Sequence, residues 1–396
     1  MKINKIFKIM FRKIIIAVVV IANSFSLFAQ FEDLEFGTDS TLEVVTWNIE
    51  HFPKRGQATV NYVRQIIEQM DVDIIAIQEL EDYDMFGQLI DSLEGWEGTY
   101  GYNQYISLAY IYKADLFEDM DIFEIYTNNS REFPRRPLVM EMNYKGEHYV
   151  IINNHLKCCG DQELDLSDEW DEETRRYDAC ILLDQYIEEN HHDDRVIVVG
   201  DLNDILTDSP ENNVFQVFTD NELAYMFVDM GIAYGNNSEW SYPSWPSHID
   251  HILITNESFD DFGSEGSDIQ TIKLDEYFSE GFEEYDYYVS DHRPVALKIM
   301  TSHYLGLYDN PISGMKLSNY PNPFIKSTTI SFEPQNTNSK IAIYNMKGQI
   351  IYEVDINANQ SSVVWNAEGI TGGIYFAKLI VGYRIGAVRK IVLLKE

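Results

Sequence analysis

Six short apolar runs between residues 42 and 300 each carry, at one end, polar side chains able to bind a metal ion or move a proton. The runs are VVTWNIE, IIAIQEL, YVIINNHL, VIVVGDLND, SHIDHILI and SDHRPV, which present Asn48, Glu79, His155, Asp201 with Asn203, Asp250 with His251, and Asp291 with His292. Apolar runs of this length predict buried β-strands, and a strand end can hold a reactive side chain rigidly. One such residue is usually a solvated strand end or a turn, but six in corresponding places predict a site.

Two kinds of connection are expected between these strands. ATVNYVRQIIEQM has apolar residues at helical spacing, and a helix is expected in ETRRYDACILLDQYIEEN. EHYVIINNHL instead follows a Lys-Gly turn, which is typical of a β-hairpin. Because the strands form both hairpins and helix-linked pairs, the sequence predicts an α+β layered sandwich.

The chain changes character after Met300. Residues 301–315 have the composition of a linker, and residues 316–396 contain short β runs separated by Gly, Asn and Pro, with no clear helix. Such spacing predicts a small all-β sandwich of roughly 80 residues. We therefore expect a larger domain over residues 38–300 and a β domain over residues 316–396.

The first 29 residues have the three-part layout of a secretory signal peptide. They run from the basic MKINKIFKIMFRK through the apolar IIIAVVVIA to a small residue, Ala29, before the expected cut. The apolar run is shorter than the about 20 residues that a membrane-spanning helix needs. We expect residues 1–29 to be removed during export, and we expect no stable membrane span.

The composition is strongly acidic, with 65 Asp and Glu against 29 Lys and Arg and a formal net charge of −36. Such a chain repels polyanions at long range and lacks the basic footprint of a typical DNA-reading protein. The acidity favours solubility in a salty outside medium, where charges are screened within about 8 Å. Attraction of divalent cations is the alternative interpretation. The charge weakens a nucleic-acid hypothesis without excluding it.

The three cysteines are Cys158, Cys159 and Cys180, and they lack the spacing of a zinc site. In an oxidising compartment we expect one pair to bridge, Cys180 with either Cys158 or Cys159. The sequence leaves this choice open and assigns no role to the third thiol.

The six segments, in this order, resemble the endonuclease/exonuclease/phosphatase superfamily from about residue 40 to 300. GDLND, HIDHILI and SDHRPV together carry the most specific part of the resemblance. It implies a four-layer α+β sandwich, in which two packed mixed β-sheets are flanked by helices. It also implies metal-dependent hydrolysis of a phosphodiester.

The resemblance implies a divalent metal ion held mainly by Glu79, with Asn48 and Asp291 close to the same ion. Mg²⁺ is the expected ion because it is hard and prefers oxygen ligands, with Mn²⁺ and Ca²⁺ as alternatives. Phosphodiester hydrolysis needs such an ion to neutralise the phosphate and activate water.

The resemblance also assigns catalytic roles. Asp201 would orient or deprotonate the attacking water, and Asn203 would donate hydrogen bonds to the phosphate. His292, held by Asp250 through its other ring nitrogen, would contact the phosphate or take a proton. His155 would contact the phosphate or protonate the leaving group, although no carboxylate that would support it can be found in the sequence.

Arg136, in FPRRPLVME, resembles an arginine that points at the substrate phosphate, where a guanidinium fits well. The neighbouring Arg135 is interpreted as an ordinary residue. His251 should face away from Asp250 on a strand and is interpreted as structural. His191 and His192, at a predicted helix end, favour helix stabilisation over ligation.

The segments RRPLV and HLK resemble those of secreted bacterial nucleases, and this resemblance implies a secreted nuclease that hydrolyses extracellular DNA or RNA by metal-activated water attack. A sphingomyelinase-like or other small-phosphoester hydrolase is the alternative, and SYPSWPS places two aromatic residues in a loop before Asp250. A catalytically dead surface binding protein is a hypothesis of a different class. The complete set of carboxylates and histidines argues against it.

The C-terminal residues 316–396 resemble the sorting domain of the type IX secretion system, through LSNYPNPF, IAIYNMKGQII, GITGGIYFAKLIV and RKIVLLKE. A carbohydrate-binding β-sandwich is the alternative. The resemblance implies that the type IX machinery is a partner. The signal peptide would take the chain to the periplasm, and the tail would take it across the outer membrane to the cell surface or the medium.

Overall fold

The computed structural model describes residues 29–394 except for 103–105, 302–314, 335–338, 347–349, 358–359 and 382–383. The expected signal peptide, apart from Ala29, and most of the expected linker lie outside the described residues. Two compact units are present. The first comprises the described residues up to Phe259 together with Asp268–Lys298, and the second comprises Asp260–Ser267 with the described residues from Ile299 onward.

The first unit is built on two six-stranded sheets, with strand orders β11-β12-β1-β2-β4-β3 and β5-β6-β7-β8-β10-β9. The strands are β1 (Thr41–Phe52), β2 (Ile74–Leu80), β3 (Trp96–Tyr100), β4 (Ser107–Lys113), β5 (Glu118–Glu124), β6 (Leu138–Tyr144), β7 (Glu147–His155), β8 (Arg195–Asp201), β9 (Tyr225–Phe227), β10 (Asp250–Thr255), β11 (Asp268–Thr271) and β12 (Val295–Met300). Both sheets are mixed, because β1 pairs with β2 and β7 with β8 in parallel, whereas β2 pairs with β4 and β8 with β10 in antiparallel fashion.

The helices connect these strands. They are α1 (Gln57–Met70), α2 (Tyr83–Asp91), α3 (Glu172–Asn190), α4 (Gln216–Thr219), α5 (Met230–Ala233), α6 (Phe259–Phe262) and α7 (Phe282–Tyr288), with 3₁₀ turns at Ala29–Phe31, Ala114–Leu116, Asn237–Glu239, Asn256–Ser258 and Leu274–Tyr277. The long helix α3 begins at an aspartate cap, because the Asp171 carboxylate accepts the Thr174 N–H at 2.8 Å. In the part of the chain that the structure describes, no helix is long and apolar enough to cross a membrane.

The two sheets lie face to face, with helices on their outer sides. Between them, Tyr110 Oη lies 2.9 Å from the carbonyl oxygens of both Leu138 and Ile151, which share its one proton, and Asn153 Nδ2 donates to those of Ile77 and Ala109 at 3.0 Å. Apolar residues of α1 and α2 form one core on the first sheet, and those of α3 form another on the second sheet. This order of layers confirms the predicted four-layer α+β sandwich.

The second unit contains β13 (Leu317–Tyr320), β14 (Ser327–Phe332), β15 (Ser339–Asn345), β16 (Ile350–Ile356), β17 (Ser362–Asn366), β18 (Gly373–Val381) and β19 (Arg384–Leu393). They form a three-stranded sheet of order β13-β14-β17 and a four-stranded sheet of order β16-β15-β18-β19. The pairs are antiparallel, and a core that includes Trp365, Ile341 and Leu379 is buried. The predicted small all-β fold is confirmed.

The expected disulfide is not formed. Cys158, Cys159 and Cys180 all carry free thiols. Cys180 is buried on α3, whereas Cys158 and Cys159 lie next to each other with their Sγ atoms 3.0 Å apart. The correction follows from the fold, since Cys180 faces the core of the second sheet.

Candidate active site

Strand register brings three of the predicted residues to one end of the second sheet. In the parallel pair β7–β8, His155 lies opposite Asp201. In the antiparallel pair β8–β10, Asp201 lies opposite Asp250. The carboxyl ends of β7 and β8 therefore meet the first residue of β10, which places an imidazole and two carboxylates side by side.

Asn48 joins this group to the first sheet. Its Nδ2 donates to Asp201 Oδ2 at 3.0 Å and to Glu79 Oε1 at 3.2 Å, while its Oδ1 accepts the Glu50 N–H at 3.0 Å. The amide nitrogen, rather than the oxygen, therefore faces the two carboxylates. The predicted role of Asn48 close to the metal ion would require this amide to turn.

Two site residues have left-handed backbone conformations. Glu79 has φ +67° and Asn203 has φ +56°, and both follow a buried strand segment. Such conformations are uncommon outside glycine and cluster at functional sites. At Asn203 the turn is stabilised locally, because its N–H donates to Asp201 Oδ1 at 3.1 Å.

His292 is held by Asp250. Its Nδ1 lies 2.8 Å from Asp250 Oδ2, and its Nε2 lies 3.8 Å from Asp201 Oδ2 and 3.9 Å from Asp291 Oδ1. Burial opposes the charged imidazole, but the surrounding carboxylates, led by Asp250, outweigh burial and raise the pKa of His292 to about 10. This raised pKa favours the protonated ring, whose Nε2 faces Asp201 and Asp291.

The carboxylates of the site are hard to ionise together. Burial, reinforced by Asp250 and Glu79 against the opposing charge of His292, raises the pKa of Asp201 to about 7. Burial, reinforced by Glu50, raises the pKa of Asp291 to about 6. A carboxyl group whose pKa lies near neutrality can exchange a proton during a reaction.

His155 differs from His292 in its charge. Its Nε2 lies 3.5 Å from Asp201 Oδ2 and 3.9 Å from Glu79 Oε1, and its Nδ1 is buried without a hydrogen-bond partner among the described residues. Burial, followed by the positive charge of Arg135, lowers the pKa of His155 well below its ordinary value. Among the described residues, no carboxylate therefore contacts the Nδ1 of His155.

The oxygen atoms of the site fit a hard divalent cation. Asp291 Oδ1 and Asp250 Oδ1 are buried and have no hydrogen-bond partner among the described residues. Carboxylate oxygens of Asp201 and Asp250 lie within 4.8 Å of each other beside the ring of His292, and Glu79 adjoins them through Asn48. Carboxylate-rich sets of this kind suit Mg²⁺, Mn²⁺ or Ca²⁺ better than softer metals.

The two arginines have different partners. Arg136 is drawn to Glu124, with Nη1 2.9 Å from Oε2. Arg135 donates to the Leu156 carbonyl at 3.2 Å and is the arginine whose charge acts on His155. Asn203 Nδ2 donates to the same carbonyl at 3.3 Å. Arg135 therefore lies beside the clustered residues, and the predicted contact of Arg136 with a phosphate stays a prediction.

The remaining histidines named from the sequence lie outside the cluster. His251 is buried, with Nδ1 2.6 Å from Asp229 Oδ2 and Nε2 2.9 Å from the Asp204 carbonyl. His191 pairs with Asp194 at 3.0 Å, and the exposed His192 lies 3.0 Å from Glu188. His251 is thus hydrogen-bonded in the interior, and His191 and His192 pair with carboxylates near the end of α3.

Two residues next to the site were missed by sequence reasoning. Tyr242 packs on His292, with ring centroids 4.7 Å apart. The buried Arg176 donates to the carbonyls of Lys157 and Cys159 and pairs with Asp204 at 2.8 Å, so it connects the segments that follow His155 and Asn203. The aromatic loop SYPSWPS was a visible signal for Tyr242, but Arg176 lies in an ordinary helical segment that gives no such signal.

Comparisons with known proteins agree with this geometry. The model of the endonuclease/exonuclease/phosphatase family matches residues 45–292, and the model of the secretion system C-terminal sorting domain matches residues 318–394. No curated protein matches the sequence.

Solved structures with a similar fold include D. rerio TDP2 in complex with a single strand DNA product, at 17% identity and a TM-score of 0.51, covering 66% of this chain and 100% of that one. The human Nocturnin catalytic domain with bound sulfate is 15% identical, with a TM-score of 0.46, and the match covers 66% of this chain and 93% of that one. A Bacteroides vulgatus endonuclease/exonuclease/phosphatase is 16% identical, with a TM-score of 0.45, and the match covers 66% of this chain and 99% of that one.

Proposed function

This chain belongs to the endonuclease/exonuclease/phosphatase family, and from that premise we propose that it is an exported nuclease that hydrolyses DNA or RNA. The observation that carries the proposal is the convergence of Asp201, His292 with Asp250, and His155 at the ends of β7, β8 and β10. It provides a proton acceptor, a cationic donor and a neutral donor around one space. Hydrolysis of a phosphodiester by water uses groups of these kinds to accept the proton of the water and to stabilise the charge on the phosphate.

Glu79 and Asp291 would hold the divalent ion. When bound, it would neutralise charge on the phosphate and lower the pKa of water. Asp291 Oδ1 supports this role, since it is buried, accepts no hydrogen bond among the described residues and would be stabilised by a cation. Asn48 would keep Glu79 and Asp201 in place through its two N–H donors.

Asp201 would accept the proton of the attacking water. Its pKa of about 7 suits a base that works near neutral pH. His292 would donate its Nε2–H to a phosphate oxygen, and Asp250 would fix the ring and stabilise its charge. Asn203, in its left-handed turn, would donate a further hydrogen bond.

His155 would contact the phosphate as a neutral imidazole. Its lowered pKa and the unpartnered Nδ1 disfavour a role as the acid that protonates the leaving group. Arg135 takes the place proposed for Arg136, because its guanidinium lies next to the same cluster whereas that of Arg136 pairs with Glu124.

DNA or RNA is proposed as the substrate class on the RRPLV and HLK segments, and D. rerio TDP2, which shares the fold, was solved with a single strand DNA product. A sphingomyelinase-like activity is the second candidate, favoured by the exposed Trp245 close to the site. The complete set of site residues supports an enzyme over a binding protein. The sorting-domain match supports export by the type IX machinery, with catalytic residues within 38–300 and a sorting domain at 316–396.

The test is nicking of circular DNA, with linear DNA, RNA, sphingomyelin vesicles and inositol phosphates offered in parallel. We expect the full chain to nick DNA or to cleave RNA with Mg²⁺ and to stop in EDTA. Asp201→Asn and Asp250→Asn should each lower the rate by about 100-fold or more, because general acid–base groups contribute 10²–10⁴-fold.

The matched control is Asp194→Asn, which breaks another Asp–His pair, that with His191, outside the site. It should keep the wild-type rate. Turnover of sphingomyelin without any cleavage of nucleic acid would refute the nuclease and leave the catalytic residues standing. Absence of turnover on every substrate would instead favour the binding protein.

A further inference from the structure

Two adjacent cysteines lie just beyond the candidate site. Cys158 and Cys159 follow His155 in the segment that leads from β7 to α3, and their Sγ atoms lie 3.0 Å apart. Neighbouring side chains of an extended chain point to opposite sides. Here they converge, because Cys159 has a left-handed backbone conformation with φ +72°. Such a conformation is unfavourable for a residue other than glycine, so surrounding contacts must maintain it.

Those contacts come from a buried ion pair on α3. Arg176 Nη1 donates to the carbonyls of Lys157 and Cys159 at 2.7 and 2.8 Å, so it holds the backbone on either side of the first cysteine. Glu173 pairs with Arg176 at 3.1 Å and lies against Gly160, where a Cβ would come within 2.2 Å of the Glu173 Oε1. The turn is therefore fixed by the fold, and the two sulfur atoms are close without a covalent bond between them.

The adjacent cysteines and the third cysteine differ in their access to an oxidant. Cys159 is exposed and Cys158 is half-buried, whereas Cys180 is buried in the core of the second sheet. Burial raises the pKa of the Cys180 thiol, which disfavours the thiolate that reacts with disulfides. The sorting-domain match indicates export, and disulfides form and persist in exported proteins. Reaction with an oxidant is therefore expected at Cys158 and Cys159.

We propose that Cys158 and Cys159 are a redox modification site, which an oxidant of the disulfide class closes to a vicinal disulfide. One thiolate attacks the disulfide of the oxidant and releases a first thiol, and the second thiolate then attacks the mixed disulfide and releases another. The cysteines give up two electrons and two protons, which end on the two thiols of the reduced oxidant. Adjacent Cα atoms are about 3.8 Å apart, below the usual span of about 4.4–6.8 Å in disulfides, so the bond is strained and thiols can reopen it.

The closed bond protects the turn after export. An exposed cysteine without a partner thiol is open to irreversible oxidation, whereas a disulfide is reversible. The Leu156 carbonyl, two residues before Cys158, accepts hydrogen bonds from Arg135 and Asn203, so a modified turn would disturb the candidate site. The modification does not require the proposed nuclease activity, and it can be measured without turnover.

The test uses the full chain and follows its thiols. The reduced protein is equilibrated with oxidised glutathione, the remaining thiols are blocked with iodoacetamide, and a tryptic digest is analysed by mass spectrometry. Trypsin separates Cys158 and Cys159 from Cys180, because it cleaves after Arg175 and Arg176. We expect the peptide with both cysteines to be unalkylated and lighter by two hydrogen atoms than its reduced form. After treatment with dithiothreitol it should take up two alkyl groups.

Cys158→Ser is the contrasting variant, because it leaves the exposed Cys159 without a neighbouring thiol. After oxidation it should retain glutathione on Cys159 or form covalent dimers, and peroxide should convert this thiol to the sulfinic acid. Oxidised wild type should show none of these products. Cys180→Ala is the matched control and should close the vicinal bond as wild type does.

Several products would refute the modification site. Alkylation of both Cys158 and Cys159 in the oxidised wild type would do so, as would glutathione retained on either of them. A wild-type dimer linked through Cys159, or a bond from Cys180 to either cysteine, would also refute it. A closed bond in a chain that hydrolyses no substrate would support the site while refuting the nuclease proposal.

Discussion

At the scale of single residues, two buried carboxylate–imidazole pairs of the same type differ in what the second ring nitrogen of the histidine contacts. Asp250 with His292 and Asp229 with His251 are both buried carboxylate–imidazole pairs, at 2.8 and 2.6 Å. His292 turns its second nitrogen toward Asp201 and Asp291, whereas His251 uses its second nitrogen on the Asp204 carbonyl. The direction of that second nitrogen separates the histidine that we propose to be reactive from one whose two ring nitrogens are both occupied.

A buried acidic pair far from these histidines gives a prediction about pH. Glu43 is buried, its Oε2 has no hydrogen-bond partner among the described residues, and its N–H donates to Asp73. Burial, followed by the charge of Asp73, raises the pKa of Glu43 to about 8 from an ordinary value of 4.5. The folded state therefore binds a proton that the unfolded state releases. This contribution to stability is complete below pH 4.5 and is lost as pH rises toward 8.

Glu43→Gln mimics the protonated side chain, so its stability should not decline through this titration. We expect the free energy of unfolding of the variant, relative to wild type, to increase by about 1 kcal/mol per pH unit between pH 5 and 8. Urea unfolding at several pH values measures it. A difference that does not vary with pH would show that Glu43 ionises normally in the folded protein.

At the scale of elements, the site depends on how closely β7 and β8 approach. Gly200 has φ +151°, and a Cβ there would lie 2.0 Å from the Asn154 carbonyl oxygen. In the parallel register that places His155 opposite Asp201, the preceding pair is Asn154 and Gly200. The two backbones approach so closely at this pair that only a glycine fits at position 200. The glycine of GDLND thus serves the pairing of the strands as well as the turn that follows.

Gly200→Ala should accordingly destabilise the protein by about 2 kcal/mol or more, because backbone atoms cannot yield as a flexible side chain could. We expect the melting temperature to fall by about 4 °C or more. Gly87→Ala is the control, since Gly87 lies inside α2 with open space at its Cβ, and alanine there should be neutral or stabilising. Equal melting temperatures for the two variants would contradict the close approach.

At the scale of the whole molecule, charge sets how a polyanionic substrate would arrive. The chain carries a formal net charge of −36. Long-range repulsion then opposes encounter with nucleic acid, and affinity must come from the metal and from local contacts at the site. This differs from typical nucleic-acid-binding proteins, which release counterions from the phosphates.

We therefore expect KM for DNA to fall or to stay nearly constant as the salt concentration rises, in contrast to the increase that is typical of nucleic-acid-binding proteins. Raising NaCl from 10 to 150 mM at constant Mg²⁺ should lower KM for DNA or leave it within about threefold, since salt screens the repulsion. A basic binding face would instead lose about 10³–10⁵ in affinity between 50 and 200 mM salt. Steady-state kinetics across this range gives the sign, and a KM that rises more than tenfold would reveal a basic face that the net charge conceals.

Much of this protein is determined locally and could be predicted from the sequence. Apolar runs that end in polar residues predict the strands and the side chains at their ends. This is possible because the apolar pattern of a buried strand is formed by residues that are neighbours in the sequence. Glu79, His155, Asp201, Asp250 and His292 meet as the shared strand-end pattern indicated. The all-β character of the C-terminal unit was visible in the same way.

The contacts and protonation states that involve residues far apart in the sequence could be known only from the tertiary structure. Asp250 and His292 are 42 positions apart, and the charge on the ring follows from carboxylates brought to it by separate strands. The proposed role of Arg135 depends on the pairing of Arg136 with Glu124, and Tyr242 packs on His292 from a separate segment of the chain. Burial and Coulomb interactions act through space, so a protonation state or a pocket wall becomes defined only when the chain has folded.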